Sequence, residues 1–286
     1  MARPGVSVVV PFLGTGDEGE AALAALARLR LGDHDELIVA DNTPDGVLAG
    51  RGDGGVRVVG APELRSAFHA RNAGAAVARG SWMLFIDADC VPEPDLLDRL
   101  WEPEPQSGTA VVAGEARGAD AQRAFLARWS RSRRGPIASH QLTLGPRPAG
   151  TTANLLVLRA AFESVGGFCE VRSDADVELC WRLQERGLEL EYRPAAVVAH
   201  RDPESLAAVV RQAAGYGAGR RWLRSSYGPA VSEPTLLRPL ARTVAGTLAW
   251  ALTLRFDRAG FKLVDGLVAV ATWLGYRLGD NRARPS

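Results

Sequence analysis

The sequence predicts an α/β fold, with a mostly parallel central sheet flanked by helices and a C-terminal helical extension. Three observations predict it. Short apolar runs rich in β-branched residues alternate with segments of helical apolar spacing over the first 115 residues. Two of those runs end in carboxylates, at Asp41 and at Asp87 and Asp89. Beyond residue 203 the strand pattern stops and helical spacing takes over.

Taken in order, VSVVVPF (6–12) is a continuous β-branched run, as expected of a strand buried on both faces. Residues 18–30 set Leu23, Leu26 and Leu29 at i+3 steps, one side of a helix. ELIVADN (36–42), VRVVG (56–60), SWMLFID (81–87) and TAVVAG (109–114) supply further strands. Helices are expected over 65–79 and 93–101, and Gly74 and Ala73 let the first pack closely on a sheet. Residues 120–134 are Arg-rich and helical in outline, and 135–151 carry Gly and Pro at loop-like intervals. TANLLVLR (152–159) reads as a strand, 174–187 as a helix closed by Gly187, and 188–200 as strand-like. The helical remainder breaks at 226–234. A boundary near 203 therefore divides 1–203 from an extension over 204–286, and the change of pattern after 115 divides 1–115 from 116–203.

Composition narrows the function classes. Of 286 residues, 47% are hydrophobic and 23% charged, the balance of a soluble globular protein. A net charge of +1 gives no pull toward nucleic acid. Cys90, Cys169 and Cys180 lack metal-site spacing and fit a reducing compartment. The N-terminal apolar run is short and interrupted by Pro11, unlike a signal peptide. No stretch reaches the ~18–20 apolar residues of a spanning helix. The expected location is cytoplasmic.

The stretch LFIDADCVPEPDLL (84–97) is the most specific feature. In an extended chain, Asp87 and Asp89 share one face, and two such carboxylates suit a hard divalent cation between them. Asp41 also stands at a strand end, where α/β sheets bind ligands. Its carboxylate could accept from a nucleobase or ribose, or cap the next turn with Asn42 and Thr43.

Five stretches in fixed order resemble glycosyltransferase family 2, the nucleotide-sugar transferases of the GT-A fold, which is Rossmann-like. They are VSVVVPFLG (6–14), VADNTPDG (39–46), HARNAGAAVARGSWMLFIDADC (69–90), GGFCEVRSDADVELCWRLQERG (166–187) and YRPAAVVAH (192–200). The resemblance implies a nucleoside-diphosphate sugar donor (UDP, dTDP or GDP) and a hydroxyl-bearing acceptor: a small molecule, a glycan or a lipid-linked species. It implies Mn²⁺ or Mg²⁺ at Asp89 with Asp87, completed by His200, while Asp87 could instead serve the ribose. It makes 1–115 the nucleotide-binding half, with Asp41 at the base or ribose, Pro11 starting a loop along the nucleotide, and Arg71 reaching base or diphosphate. It makes 116–203 the acceptor half. Asp176 matches the base of an inverting transfer, with Asp174 and Glu178 as flanking alternatives. A helix start there is expected to keep Asp176 ionised. The glutamate common before that aspartate is replaced by Ala175. Asn154 and Trp181 fall where substrate contacts are expected, although Trp181 could equally pack in the core. AGRRW (218–222) matches incompletely the signature of processive members, so transfer of one sugar per encounter is expected. Arg221 is a candidate diphosphate contact or a solvated helix residue.

The runs TVAGTLAWALTL (243–254) and LVDGLVAVATWLGY (263–276) are too short to span a bilayer. Three readings stand: a hairpin packed on the core, a peripheral contact with the inner membrane face, or a homodimer contact through 236–278. Two rival functions also stand. A degenerate nucleotide-sugar-binding protein is suggested by Ala175. A sugar-phosphate nucleotidyltransferase would need a basic Gly-rich loop where PFLGTGDEGE (11–20) is acidic.

Overall fold

The computed structural model describes residues 3–52, 55–119, 121–133 and 145–285. Most of the loop expected over 135–151, with His140, lies outside them. Two compact units emerge, residues 1–119, 135–201 and 282–286 in one and 120–134 and 202–281 in the other.

The first unit is built on one sheet of eight strands: β1 (Val6–Phe12), β2 (Glu36–Asp41), β3 (Val56–Gly60), β4 (Trp82–Phe85), β5 (Cys90–Pro92), β6 (Thr109–Gly118), β7 (Leu155–Leu158) and β8 (Glu189–His200). Their order is β3-β2-β1-β4-β7-β6-β8-β5. The sheet grows one way from β1 through β2 and β3 and the other way from β4, so the order reverses between β1 and β4. These first four strands are parallel. An antiparallel β7 then lies between β4 and β6. β8 runs parallel to β6 with a shift in register after Gly114, where Gly114 faces Arg193 but Glu115 faces Val197. Pro194 falls in that bulge, where a missing N–H is tolerated.

Helices α1 (Gly16–Leu26), α2 (Ala67–Ala76), α3 (Leu96–Trp101), α5 (Arg159–Ser164) and α6 (Ala175–Glu185) flank this sheet. α1 starts two residues earlier than its leucine spacing indicates because Thr15 and Glu18 form a reciprocal capping box. Ser66 caps α2 through the amides of Phe68 and His69. A Cβ on Gly74 would lie 2.6 Å from the Val9 side chain, so only glycine lets α2 approach β1 this closely.

The second unit is helical: α4 (Phe125–Arg133), α7 (Leu206–Tyr227), α8 (Leu237–Leu252) and α9 (Phe256–Leu278). Trp129, Val209 and Val264 form its small core. α7 and α9 touch backbone to backbone, since a Cβ on Gly217 would lie 2.1 Å from the Thr272 carbonyl oxygen. No helix among the described residues is long and apolar enough to cross a membrane.

Candidate active site

Parallel pairing of β1 and β4 brings their carboxyl ends out side by side. The chain leaving β4 then turns. The Cys90 amide donates to the Asp87 carbonyl at 3.0 Å, closing a turn with Ala88 and Asp89 at its centre. This corrects the expectation of an extended D-x-D segment: the two carboxylates converge through a turn and not through strand alternation. The turn feeds β5, a three-residue strand that the sequence reading missed. β5 pairs antiparallel with β8 and sets Cys90 opposite His200.

Asp87, Asp89, Cys90 and His200 thereby offer ligand atoms that all lie within 4.8 Å of one another. His200 Nε2 is 3.6 Å from Asp89 Oδ1, and its buried Nδ1 has no hydrogen-bond partner. Two carboxylates with an imidazole nitrogen left over are a donor set for Mn²⁺ or Mg²⁺. Cys90 fits poorly as a ligand, because burial and the two nearby carboxylates push its thiol well above the ordinary value. Burial also raises the Asp89 pKa, with His200 opposing and the Asp87 charge adding to it. About half of the Asp89 side chain, 51%, stays open to solvent, which screens these effects. A cavity of about 220 Å³ adjoins the cluster, lined by Phe12, Leu13, α1, the 88–91 turn and Arg201. Sequence reasoning missed Arg201, which has no motif of its own. Its amide donates to the Asp89 carbonyl at 3.0 Å.

Arg71, expected at the nucleotide, is buried and ion-paired with Asp87, and its guanidinium stacks 4.9 Å from the Phe68 ring centre. It thus orients one of the candidate metal ligands. Asn72 clasps the Phe168 backbone, donating to its carbonyl at 2.9 Å and accepting from its amide at 3.0 Å.

Asp176 lies in the first turn of α6, buried, and accepts from the Thr152 amide at 3.1 Å and the Val177 amide at 3.0 Å. Burial raises its pKa, opposed by the Thr152 amide and by the Arg71 charge, while Asp87 adds to the rise. The helix start was expected to dominate; desolvation is the larger effect. A raised pKa makes Asp176 a stronger base than an exposed carboxylate. Asp174 occupies the N-cap position with φ 65° and makes no side-chain cap. Glu178 is bound to Arg182 at 2.9 and 2.7 Å, which spends its carboxylate on an anchor.

Their contacts place the remaining candidates. Trp181 is fully buried, and its indole N–H donates to the Arg147 carbonyl at 2.8 Å, which favours the core-packing alternative. Asn154 is buried too. Its amide donates to the Glu115 carbonyl at 3.1 Å and the Ala196 carbonyl at 2.9 Å, tying β6 to the β8 bulge rather than facing a sugar. Pro11 is a buried residue of β1, paired in register with Ala40, and the exposed loop begins at Leu13. Asp41 caps its own turn: Oδ1 accepts from Thr43, at 3.0 Å from the amide and 2.6 Å from the hydroxyl, and Oδ2 accepts from the Leu48 amide at 2.8 Å. Arg221 belongs to the second unit and donates to the Arg277 carbonyl at 3.1 Å.

Comparison with known proteins gives a consistent set of likenesses. The model of a family described as Glycosyl transferase family 2 matches residues 7–166. A pre-mycofactocin glycosyltransferase of Mycobacterium tuberculosis is 27% identical over 256 residues, 86% of this chain and 52% of the relative. The chain thus spans about half the length of the curated relatives it matches. Among solved structures, the mannosyltransferase PcManGT from Pyrobaculum calidifontis, in complex with GDP-Man and Mn²⁺, has a TM-score of 0.68 at 18% identity, covering 97% of this chain and 88% of that one. Glucosyl-3-phosphoglycerate synthase from Mycobacterium tuberculosis, in complex with Mn²⁺, UDP and phosphoglyceric acid, has a TM-score of 0.53 at 22% identity, covering 81% and 80%. At these identities the likeness is one of fold, the GT-A arrangement of a mixed sheet with flanking helices.

Proposed function

Because the chain belongs to glycosyl transferase family 2, we propose that it is an inverting, metal-dependent, non-processive glycosyltransferase. It moves one sugar from a nucleoside-diphosphate sugar to an acceptor hydroxyl. The observation that carries this reading is the convergence of Asp87, Asp89 and His200 at the end of β4. Asp87, Asp89 and His200 would hold Mn²⁺ or Mg²⁺, and a divalent cation there would neutralise charge on the departing nucleoside diphosphate. Arg71 keeps Asp87 in place. Asp176 takes the proton from the acceptor hydroxyl as its oxygen bonds to the anomeric carbon and the bond to the diphosphate breaks, so configuration inverts. The Thr152 amide fixes the carboxylate for that transfer.

Residues 1–115 supply the donor side, with Asp41 shaping the β2 turn, and 116–203 supply the base and acceptor side. Donors ending in UDP or GDP are favoured, since the structural neighbours carry UDP or GDP-Man. Ala175, buried at the start of α6, supports the one rival reading, a degenerate binding protein.

Calorimetric titration with UDP, dTDP and GDP, each with Mn²⁺ and with chelator, tests the donor site. Binding of one nucleotide only with metal, lost in Asp89→Ala, is expected. Metal-independent binding, or none in the folded protein, would remove the metal-dependent reading. Nucleotide-sugar binding without turnover on any acceptor would favour the degenerate protein.

A further inference from the structure

The helical hairpin α8–α9 leaves an apolar stripe exposed on each helix, although α9 also turns Val264, Ala271 and Tyr276 inward. On α8 the exposed stripe is Leu237, Ala241, Val244, Leu248 and Leu252, at i, i+4, i+7, i+11 and i+15. Its only buried residue is Thr243. α9 repeats the pattern with exposed Leu263, Leu267, Leu274 and Leu278. The inner contact is made by small residues, since a Cβ on Gly266 would lie 2.8 Å from Thr243. A surface helix normally turns such a stripe inward. The tip exposes Leu252 at 84%, Leu254 at 76% and Phe256 at 68%, and at the other end of the hairpin Leu237 is 85% and Leu278 78% exposed.

Basic side chains outnumber acidic ones around this face. Residues 236–278 contain six basic side chains against two acidic ones. Both acids are engaged, Asp257 with Arg128 and Asp265 with Arg133 and Lys262. Arg238, Arg242, Arg255 and Arg258 are exposed, and the last two stack on Trp250 at 5.6 and 4.8 Å from its ring centre. Exposed leucine and phenylalanine at a tip, arginines beside them and a tryptophan at their level match the layering of a membrane interface.

We propose that the α8–α9 hairpin docks on a bilayer surface bearing anionic phospholipids, with Leu252, Leu254 and Phe256 entering the acyl boundary and the arginines on the headgroups. A second copy of the chain fits less well, because pairing this face with itself brings like charges together. The inference is independent of the reaction proposed above.

Co-sedimentation of the full chain with vesicles of phosphatidylcholine alone, or mixed with phosphatidylglycerol, tests it. Binding to the mixed vesicles and little to phosphatidylcholine is expected. The triple variant L252S/L254S/F256S should lose binding while keeping its circular dichroism spectrum. Arg238→Gln and Arg242→Gln should each weaken it by roughly fivefold, and added salt should do the same. Equal binding to both vesicle types, or none, would overturn the proposal. So would a concentration-dependent dimer that the triple variant converts to monomer, which would assign the face to a second copy.

Discussion

At the scale of single residues, Asp176 is expected to set activity against stability. Its pKa is raised on folding, chiefly by burial. The folded state thus favours the protonated acid. The stability it contributes is complete below the unfolded carboxylate value and is lost as pH rises through the folded one. At neutral pH the ionised, buried carboxylate is a cost. Asp176→Asn should therefore slow transfer by about a hundred- to ten-thousand-fold. It should also melt higher than the parent at neutral pH, with the difference vanishing in acid. Melting curves between acid and neutral pH, run beside turnover, check both signs. An unchanged transfer rate would remove Asp176 as base. Arg71 gives a second test. It touches a candidate ligand, so Arg71→Met should weaken Mn²⁺ affinity by roughly 10–100-fold. Manganese titration followed by water-proton relaxation reads this directly. If only nucleotide affinity falls, Arg71 contacts the nucleotide as the family resemblance implies.

Elements decide which residues reach the site, and there the sequence was only partly legible. The long strands and the pairing of the two carboxylates were legible because β-branched runs and paired carboxylates are local signals, whereas the turn that joins Asp87 to Asp89 was read as extended. β5 was not: three residues including a proline carry no periodicity, and pairing with β8 alone makes them a strand. Yet that pairing sets His200 beside Asp89, so the candidate metal cluster depends on an element that local patterns do not reveal. His200 itself was identified through resemblance and not through spacing. Asn154 shows the opposite failure, and Trp181, read either as core or as a substrate contact, could not be decided locally. Both are residue types that bind sugars, but burial is set by neighbours distant in sequence. A Cβ on Gly114 would lie 2.2 Å from the Asn154 amide nitrogen, and one on Gly145 would lie 2.1 Å from the Trp181 ring. Asn154→Ala should consequently act on stability, not on substrate affinity. It removes two buried hydrogen bonds, to the Glu115 and Ala196 carbonyls, and should cost about 1–3 kcal/mol. Urea unfolding together with KM separates the two roles: a raised KM at unchanged midpoint would return Asn154 to the substrate.

At the scale of the whole molecule, the chain crosses between the two units more than once, and its last residues return to the first. Val171 bridges Arg282 and Leu64 bridges Pro285, and the Arg65 amide donates to the Arg284 carbonyl at 2.8 Å. These contacts tie down the two loops that meet at the head of α2, where the Ser66 hydroxyl donates to the Val171 carbonyl at 2.7 Å. α2 in turn carries Arg71, and Arg71 holds Asp87. The tail is therefore a brace for α2 and, through Arg71, for Asp87, built from backbone pairing and so insensitive to its side chains. Removing residues 282–286 should cost roughly 1 kcal/mol for each backbone bond lost, lowering the melting temperature by about 2–4 °C per kcal/mol. Mn²⁺-dependent nucleotide affinity should fall with it, while Arg284→Ala, which keeps the backbone, should leave both close to the parent. Scanning calorimetry and nucleotide titration on the two variants make the comparison. Equal losses in both would place the brace in the arginine side chain, and no loss in either would show that α2 is held without the tail.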